Sequence, residues 1–405
     1  MKCFVFKFYV FLYFFMSLGG GAVIFVNNDP YGVSEGSSFL FVGLWLILYC
    51  LTFLWFFIIR FKISKKSLLV FIFPFLMILS SFWSSVWDKT FFYSVCFLFN
   101  MIFVLQVVNL FNLDQLLRFL TKLLIFMMLV GTVLYYLGYS NVIYFDIHGR
   151  ETLLGGLPVR GLFNHKITAG IYSAFCFLLV MRYYVGFVRF VLLAFTLFFN
   201  LQTGSATGVI ILVSGVVLYY FNFLLLVMEV KVTKYIFSVG LLVLFVTTTG
   251  IVYGADLLEF FGRDPTLTGR TTLWVWGLEA AFERPFFGWG YVGYNGTNAA
   301  GLVADTFIEF ANYNVPHFHE SYIQILVESG FVGFLIYIFI IFFSVYSLYS
   351  MAIILNYRNA SLLCLSIFMS ILISGGFVHV LSRYNNFTTI FIFLVFMYSL
   401  NFKKS

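Results

Sequence analysis

Apolar residues run along this chain in blocks of about 20, separated by short polar breaks. The blocks fall near 4–26, 39–60, 67–87, 90–111, 116–139, 167–185, 188–202, 206–228, 235–253, 331–350, 360–379 and 387–402. A helix of about 20 apolar residues covers roughly 30 Å of hydrocarbon, so the pattern predicts about twelve membrane-crossing helices. A membrane barrel would show shorter segments alternating every second residue. The expected fold is therefore an all-α polytopic integral membrane protein, with residues 1–405 as a single membrane domain. The first run, Cys3 to Val26, is longer than a signal-peptide core and lacks a small-x-small cleavage site, so it is expected to stay as the first span.

One interval breaks the pattern. Between the ninth and tenth blocks lie Asp256, Glu259, Arg263, Asp264, Arg270, Glu279, Glu283, Arg284, Asp305, Glu309, His317 and His319. Each charge inside hydrocarbon costs a few kcal/mol or more, so residues 254–330 are expected as one large loop outside it, carrying short amphipathic helices. Thr271 to Phe282 is the clearest of these, with Trp274 and Trp276 expected near headgroup depth. A smaller polar segment spans 140–166.

Composition agrees: 62% of residues are hydrophobic and only 10% charged, too few polar groups to cover a soluble protein of 405 residues. The net charge of +7 is distributed unevenly. With the N-terminus cytoplasmic, one side receives 15 of the 23 basic residues and only Asp114 and Glu229 as acids, a net of +13 against −6 for the other. That is the positive-inside asymmetry, not a nucleic-acid footprint. It puts both termini in the cytoplasm and the large loop outward. The cysteines (Cys3, Cys50, Cys96, Cys176 and Cys364) lie in or beside apolar blocks without a CxxC pair, which suggests neither disulfides nor zinc.

Cations recur on this otherwise acidic outward face. Arg160-Gly-Leu-Phe-Asn-His-Lys166 leads into the sixth block, and Gly262-Arg263-Asp-Pro-Thr-Leu-Thr-Gly-Arg270-Thr-Thr-Leu-Trp274 lies in the large loop. Arginine forks beside glycines and helix starts suit a diphosphate, although pairing with Glu151, Asp264 or Glu279 is the plainer alternative. Gly288-Trp-Gly290-Tyr-Val-Gly293 matches GxGxxG but follows no strand of a βαβ unit, so it reads as tight turns rather than a dinucleotide site. His317-Phe-His319-Glu320 has no third ligand at metal spacing. A histidine beside cations and a carboxylate reads instead as a proton acceptor, or as a cap of the helix that follows.

The order Gly269-Arg270-Thr, Trp274, Pro285-Phe-Phe-Gly288-Trp-Gly290, His319 and Gly330-x-x-Gly333, with the upstream Arg160 motif, resembles the superfamily of bacterial O-antigen ligases and O-antigen or exopolysaccharide polymerases. The resemblance covers roughly residues 155–340 in motif and the whole chain in span count. It implies a GT-C-like glycosyltransferase that moves a glycan from an undecaprenyl diphosphate carrier to a sugar hydroxyl, without a metal or other cofactor. The implied catalytic residues are Arg160 and Arg270 on the diphosphate and His319 as general base. Arg263, Lys166, His165, His317 and Glu320 are expected around the substrate, with His317 a rival for the base. Glu320 departs from the Asn, Ser or Gln usual after the ligase histidine. Together with GRDPTLTGRTTLW it favours a polymerase over a ligase whose acceptor is lipid A–core. The implied partners are the lipid-linked oligosaccharide, membrane lipids and a chain-length regulator, with no nucleic acid. A transporter of the same lipid-linked sugars would place its polar groups near mid-membrane, which this sequence does not.

Overall fold

The computed structural model describes residues 2–25, 39–58, 64–145, 151–152, 154–242, 270–294, 297, 300–301 and 317–402. Two parts of the large loop, 254–269 with Arg263 and 302–316, lie outside the described residues. The described chain is helical, apart from an isolated antiparallel bridge between Ile143 and Val159. The helices are α1 Lys2–Leu18, α2 Gly20–Phe25, α3 Phe39–Ile58, α4 Ile72–Leu79, α5 Trp87–Leu110, α6 Leu113–Tyr136, α7 Lys166–Tyr183, α8 Gly186–Gln202 and α9 Ala206–Val227. They continue with α10 Val232–Leu242, α11 Arg270–Glu283, α12 Ser321–Ile353, α13 Arg358–Gly375 and α14 Phe387–Asn401.

Among the described residues, seven stretches are long and apolar enough to cross a membrane: α3, Lys65–Phe82, α5, α6, α9, α12 and α13. Four shorter apolar helices, Val5–Leu18, α8, α10 and α14, accompany them. The protein is a multi-pass membrane protein built from helices. The apolar blocks and the helices coincide closely over α3 and α9, and with a shift of about one helical turn over α5 and α6. Elsewhere local chemistry shifts them. The first block breaks at Gly19, whose backbone is left-handed and whose missing Cβ leaves room for Asn164. The third block begins as a 3-10 turn, Lys65–Phe71, capped by the Ser64 side chain. Pro74 has no N–H to bond back to Val70, which favours that tighter winding before it.

The bundle is organised around α14. Its side chains from Phe387 to Leu400 are all buried, though it is apolar all round, because α5, α12 and α13 surround it. In contrast, α3 and α9 expose large side chains such as Phe53, Phe57, Val213 and Val217, as hydrocarbon-facing helices do. Apolar surface gives helices little reason to associate inside lipid, so polar side chains supply specific joins. Tyr13 donates to Asn100 Oδ1 at 2.6 Å, and Gln106 Nε2 donates to the Thr52 carbonyl at 2.7 Å, tying α1 and α3 to α5. Tyr235 donates to Asn222, which donates to Ser366, joining α10, α9 and α13.

The join that matters most for function lies in α12. Its tenth residue, Gly330, has φ 61° and ψ −168°, which breaks the helix into an outer piece, Ser321–Ser329, and a long inner one. The break frees backbone groups, and the segment after α11 takes them. Trp289 N–H donates to the Val327 carbonyl at 2.9 Å and Gly290 N–H to Glu328 at 3.0 Å. In return, Phe331 N–H donates to the Pro285 carbonyl at 2.7 Å and Val332 N–H to Phe286 at 3.1 Å. Buried backbone groups need partners, so the segment 285–290 is locked into the gap. A Cβ on Gly288 would lie 2.5 Å from the Val327 oxygen, and one on Gly330 would lie 2.5 Å from the Phe287 nitrogen. The glycines of this motif are there for close backbone approach.

This docking orients α11. Leu273, Gly277, Ala280 and Ala281 face the outer piece of α12, with Gly277 against Ile323 and Phe318. Val275, Leu278 and Phe282 form the exposed apolar face, while Trp274 and Trp276 are half-buried. Arg284 stacks over Trp289 at 4.0 Å, which closes the C-terminal end of α11. Gly330→Ala forces a side chain into backbone at a left-handed position and is expected to lower stability by about 1–3 kcal/mol. Gly43→Ala, in the open on α3, is the control expected to be near neutral. Thermal unfolding of both variants in detergent checks this; equal stability would mean that the break is not locked.

Candidate active site

The outer piece of α12 starts from a turn that displays two histidines. Glu320 is the N-cap: its carboxylate accepts from Ile323 N–H. Just before it, His319 sits at φ 55°, a left-handed conformation rare for a residue with a Cβ. Its N–H donates to His317 Nδ1 at 3.1 Å, and Phe318 N–H donates to Gln324 Oε1 at 3.2 Å. Gln324 in turn donates to Glu328, whose carboxylate also accepts from Val292 N–H. The turn is thus tied to the same segment that fills the helix break.

Against this turn packs the connection between α13 and α14, residues 376–386. Nearly every carbonyl along its middle accepts a side chain from another element. Phe377 accepts from Arg270 Nη1 at 2.9 Å, Val378 from Ser321 at 2.7 Å, Val380 from Thr388 and Thr389, Leu381 from Tyr337 at 2.5 Å, and Ser382 from Tyr291 at 2.9 Å. Tyr291 also accepts from Tyr384 N–H, and Ser321 from Val380 N–H. The loop therefore serves as a hub that fixes Arg270, at the start of α11, relative to the His319 turn. It also contributes a histidine of its own. His379 is buried, its Nε2 lies 3.3 Å from Ser382 Oγ, and its ring packs 5.3 Å from that of His317. The rings of His317 and His319 are 4.5 Å apart.

The third contribution comes from the segment before α7. Arg160 is buried and donates through Nε to the Asn141 carbonyl at 2.7 Å and through Nη1 to Asn164 at 3.4 Å. Its backbone is fixed by Arg160 N–H to Val142, beside the Ile143–Val159 bridge. Gly161 follows in the left-handed region, where its Cα meets Gly131 of α6 too closely for side chains. His165 caps α7, its Nδ1 accepting from Ile167 N–H at 3.1 Å, so its Nε2 is the nitrogen free to donate to Tyr144 Oη at 3.0 Å. Lys166 Nζ lies 4.9 Å from the centre of the Tyr144 ring.

Electrostatics connects these pieces. Burial pushes the His319 imidazole well below its usual value, and the charges of His317, Arg270, His165 and His379 push the same way. His317 is lowered to about 4, by burial first and by Arg270 second. His379 is also lowered well below normal, by burial and by His317. Burial raises Glu320 to about 7, against the pull of its backbone donors. At neutral pH the site therefore holds uncharged imidazoles beside a guanidinium, and protonating them costs energy.

Of the residues expected from sequence, Arg270, His317, His319 and His165 share one electrostatic neighbourhood, and Glu320 caps the helix directly after it. Arg160 and Lys166 are bound into the segment that carries His165. Arg263 lies outside the described residues. The sequence reading missed His379, because it placed that residue as the end of a membrane span. Its signal was present: a histidine at the end of the apolar block, four residues from Arg383. Among the described residues, no three of His, Cys, Asp or Glu converge in a way that holds a metal ion.

The family described as O-antigen ligase matches residues 188–338, from the start of α8 past the Gly330 break, and so includes Arg270, His317 and His319. The exopolysaccharide production protein ExoQ of Rhizobium meliloti (strain 1021) is 40% identical over 81 residues, which is 20% of this chain and 18% of that relative. The match thus spans less than a fifth of the relative's length. Over these segments the chain is similar to the O-antigen ligase family and to an exopolysaccharide production protein.

Proposed function

We propose that this protein is a polysaccharide polymerase. In this reading it transfers a glycan from an undecaprenyl-diphosphate carrier onto a sugar hydroxyl of a second lipid-linked repeat unit, at the periplasmic face of the inner membrane. The observation that supports the reading is that Arg270, His317, His165 and His379 all act electrostatically on His319. The similarity to an exopolysaccharide production protein favours the polymerase. The description of the matching family keeps the ligase, with lipid A–core as acceptor, as the second reading.

The chemistry follows from the groups present. The acceptor hydroxyl attacks the anomeric carbon, His319 takes the hydroxyl proton, and the bond from that carbon to the diphosphate oxygen breaks. Charge grows on the departing diphosphate, and fixed guanidinium groups stabilise that growth more than they stabilise the ground state. Arg270 is held for this by the Phe377 carbonyl, and Arg160 is expected to serve in the same way. An uncharged imidazole is the form that accepts a proton, and burial beside Arg270 keeps His319 in it. A single displacement inverts the anomeric configuration. Neither a metal nor a nucleotide is required, because the bond energy resides in the lipid-linked donor.

Purified protein in vesicles, supplied with synthetic lipid-linked repeat units, should make longer glycans; relocation of the units without new bonds would instead indicate a transporter. His319→Ala should abolish chain growth, and Arg270→Lys or Arg160→Lys should slow it by on the order of 10²–10³ because lysine lacks the planar fork. Wild-type turnover in the lysine variants would contradict the bidentate role. Chelation of divalent ions should leave turnover intact.

The pH profile supplies a further check. A base whose free-enzyme value is depressed stays competent above that value and loses activity only as pH falls through it. The acid limb of kcat/KM is therefore expected well below pH 6.5, the ordinary imidazole value. An acid limb at or above 6.5 would mean that His319 is not the buried base described here.

A further inference from the structure

We propose that His317 is a positioning residue whose imidazole works as a hydrogen-bond acceptor for backbone, fixing the left-handed turn that aims His319. The inference rests on the reading of His319 as the base and deepens it.

His319 needs support of this kind. A residue with a Cβ at φ 55° is disfavoured, and it holds there only where its surroundings impose the conformation. The hydrogen bond from His319 N–H to His317 Nδ1, at 3.1 Å, is the contact that closes the turn. It has the pattern of an Asx turn, in which a short side chain accepts from the N–H two residues on. The same device recurs at His165, whose Nδ1 accepts from Ile167 N–H. Phe318 N–H to Gln324 and Ile323 N–H to Glu320 fasten the flanking residues, so His317 supplies the third restraint of the same turn.

The arrangement also sets the proton inventory of His317. With Nδ1 accepting, the neutral ring carries its hydrogen on Nε2, and a nitrogen bearing hydrogen cannot take a proton from an acceptor hydroxyl. His317 is thereby excluded as the rival base in the state the structure shows. Its ring is backed by His379, 5.3 Å away, which rests beside Ser382 on the hub loop. Tyr291 pins that loop at Ser382 and Tyr384. A continuous set of contacts thus runs from the filled helix break, through Tyr291 and His379, to His317 and the backbone of His319.

Asparagine decides the matter. Its Oδ1 occupies nearly the place of imidazole Nδ1 and accepts from the same N–H, whereas glutamine is one methylene too long and alanine has no acceptor. Turnover and KM of His317→Asn, His317→Gln and His317→Ala are measured with lipid-linked repeat units, alongside His319→Ala. His317→Ala and His317→Gln are expected to lose on the order of 10²-fold in kcat with KM nearly unchanged, the cost of a misplaced base. His317→Asn is expected to stay within about fivefold of wild type and to keep the wild-type acid limb, since its acceptor survives. An asparagine variant as slow as alanine would overturn the proposal and show that the imidazole itself is needed. An alanine variant at wild-type turnover would overturn it too. If His317→Ala does not fold, the asparagine–glutamine pair decides: equal rates contradict the positioning role. Turnover retained in His319→Ala would instead remove the base assignment on which the inference rests.

Discussion

A guanidinium whose charge acts on part-buried, uncharged imidazoles is the interaction on which the rest of this site depends. Burial lowers both His317 and His319, and the charge of Arg270 lowers them further. The combination is costly for cations and welcoming to an anion. It leaves a positive charge fixed in place without a protonated histidine to compete with it. The same burial that lowers His319 raises the neighbouring Glu320 to about 7, so the helix cap is near its own titration point at neutrality.

Holding such groups together at the edge of a membrane demands rigid backbone, and the protein obtains it from an interrupted helix. The break at Gly330 exposes N–H and C=O groups that only another backbone segment can satisfy, and residues 285–290 do so. That segment delivers Tyr291 to the hub loop 376–386, and the hub loop receives Arg270 and Ser321. Helix α11, the outer piece of α12 and the α13–α14 connection thus form one cross-braced unit. The bundle below it, centred on the buried α14, is the platform.

Much of this was legible in the sequence, and the limits have physical causes. Hydrophobic blocks of near-constant length located α3 and α9 closely and α5 and α6 with a shift of about one helical turn, because membrane thickness dictates their length. The apolar block begins only at residue 331, yet the cap reading of the His319 turn expects a helix from near Glu320, and α12 does begin at Ser321. Gly288, Gly290 and Gly330 were visible as a motif, yet their purpose is backbone contact across some forty residues, which no local pattern encodes. Arg270 and His319 stood out because charge is rare in this chain. His379 did not, because one histidine at the end of an apolar block looks like the end of a span. The role of Tyr291 was equally hidden: tyrosine is common here, and only the fold distinguishes the one that clamps the hub loop.

The central claim is that the Arg270 guanidinium and His319 act on the same donor molecule. A structure determined with an undecaprenyl-diphosphate-linked sugar bound tests it most directly. The account predicts diphosphate oxygens within hydrogen-bond distance of the Arg270 guanidinium, with the anomeric carbon on the side of the His319 ring. Donor density elsewhere, with Arg270 and His319 facing no part of it, would contradict the account.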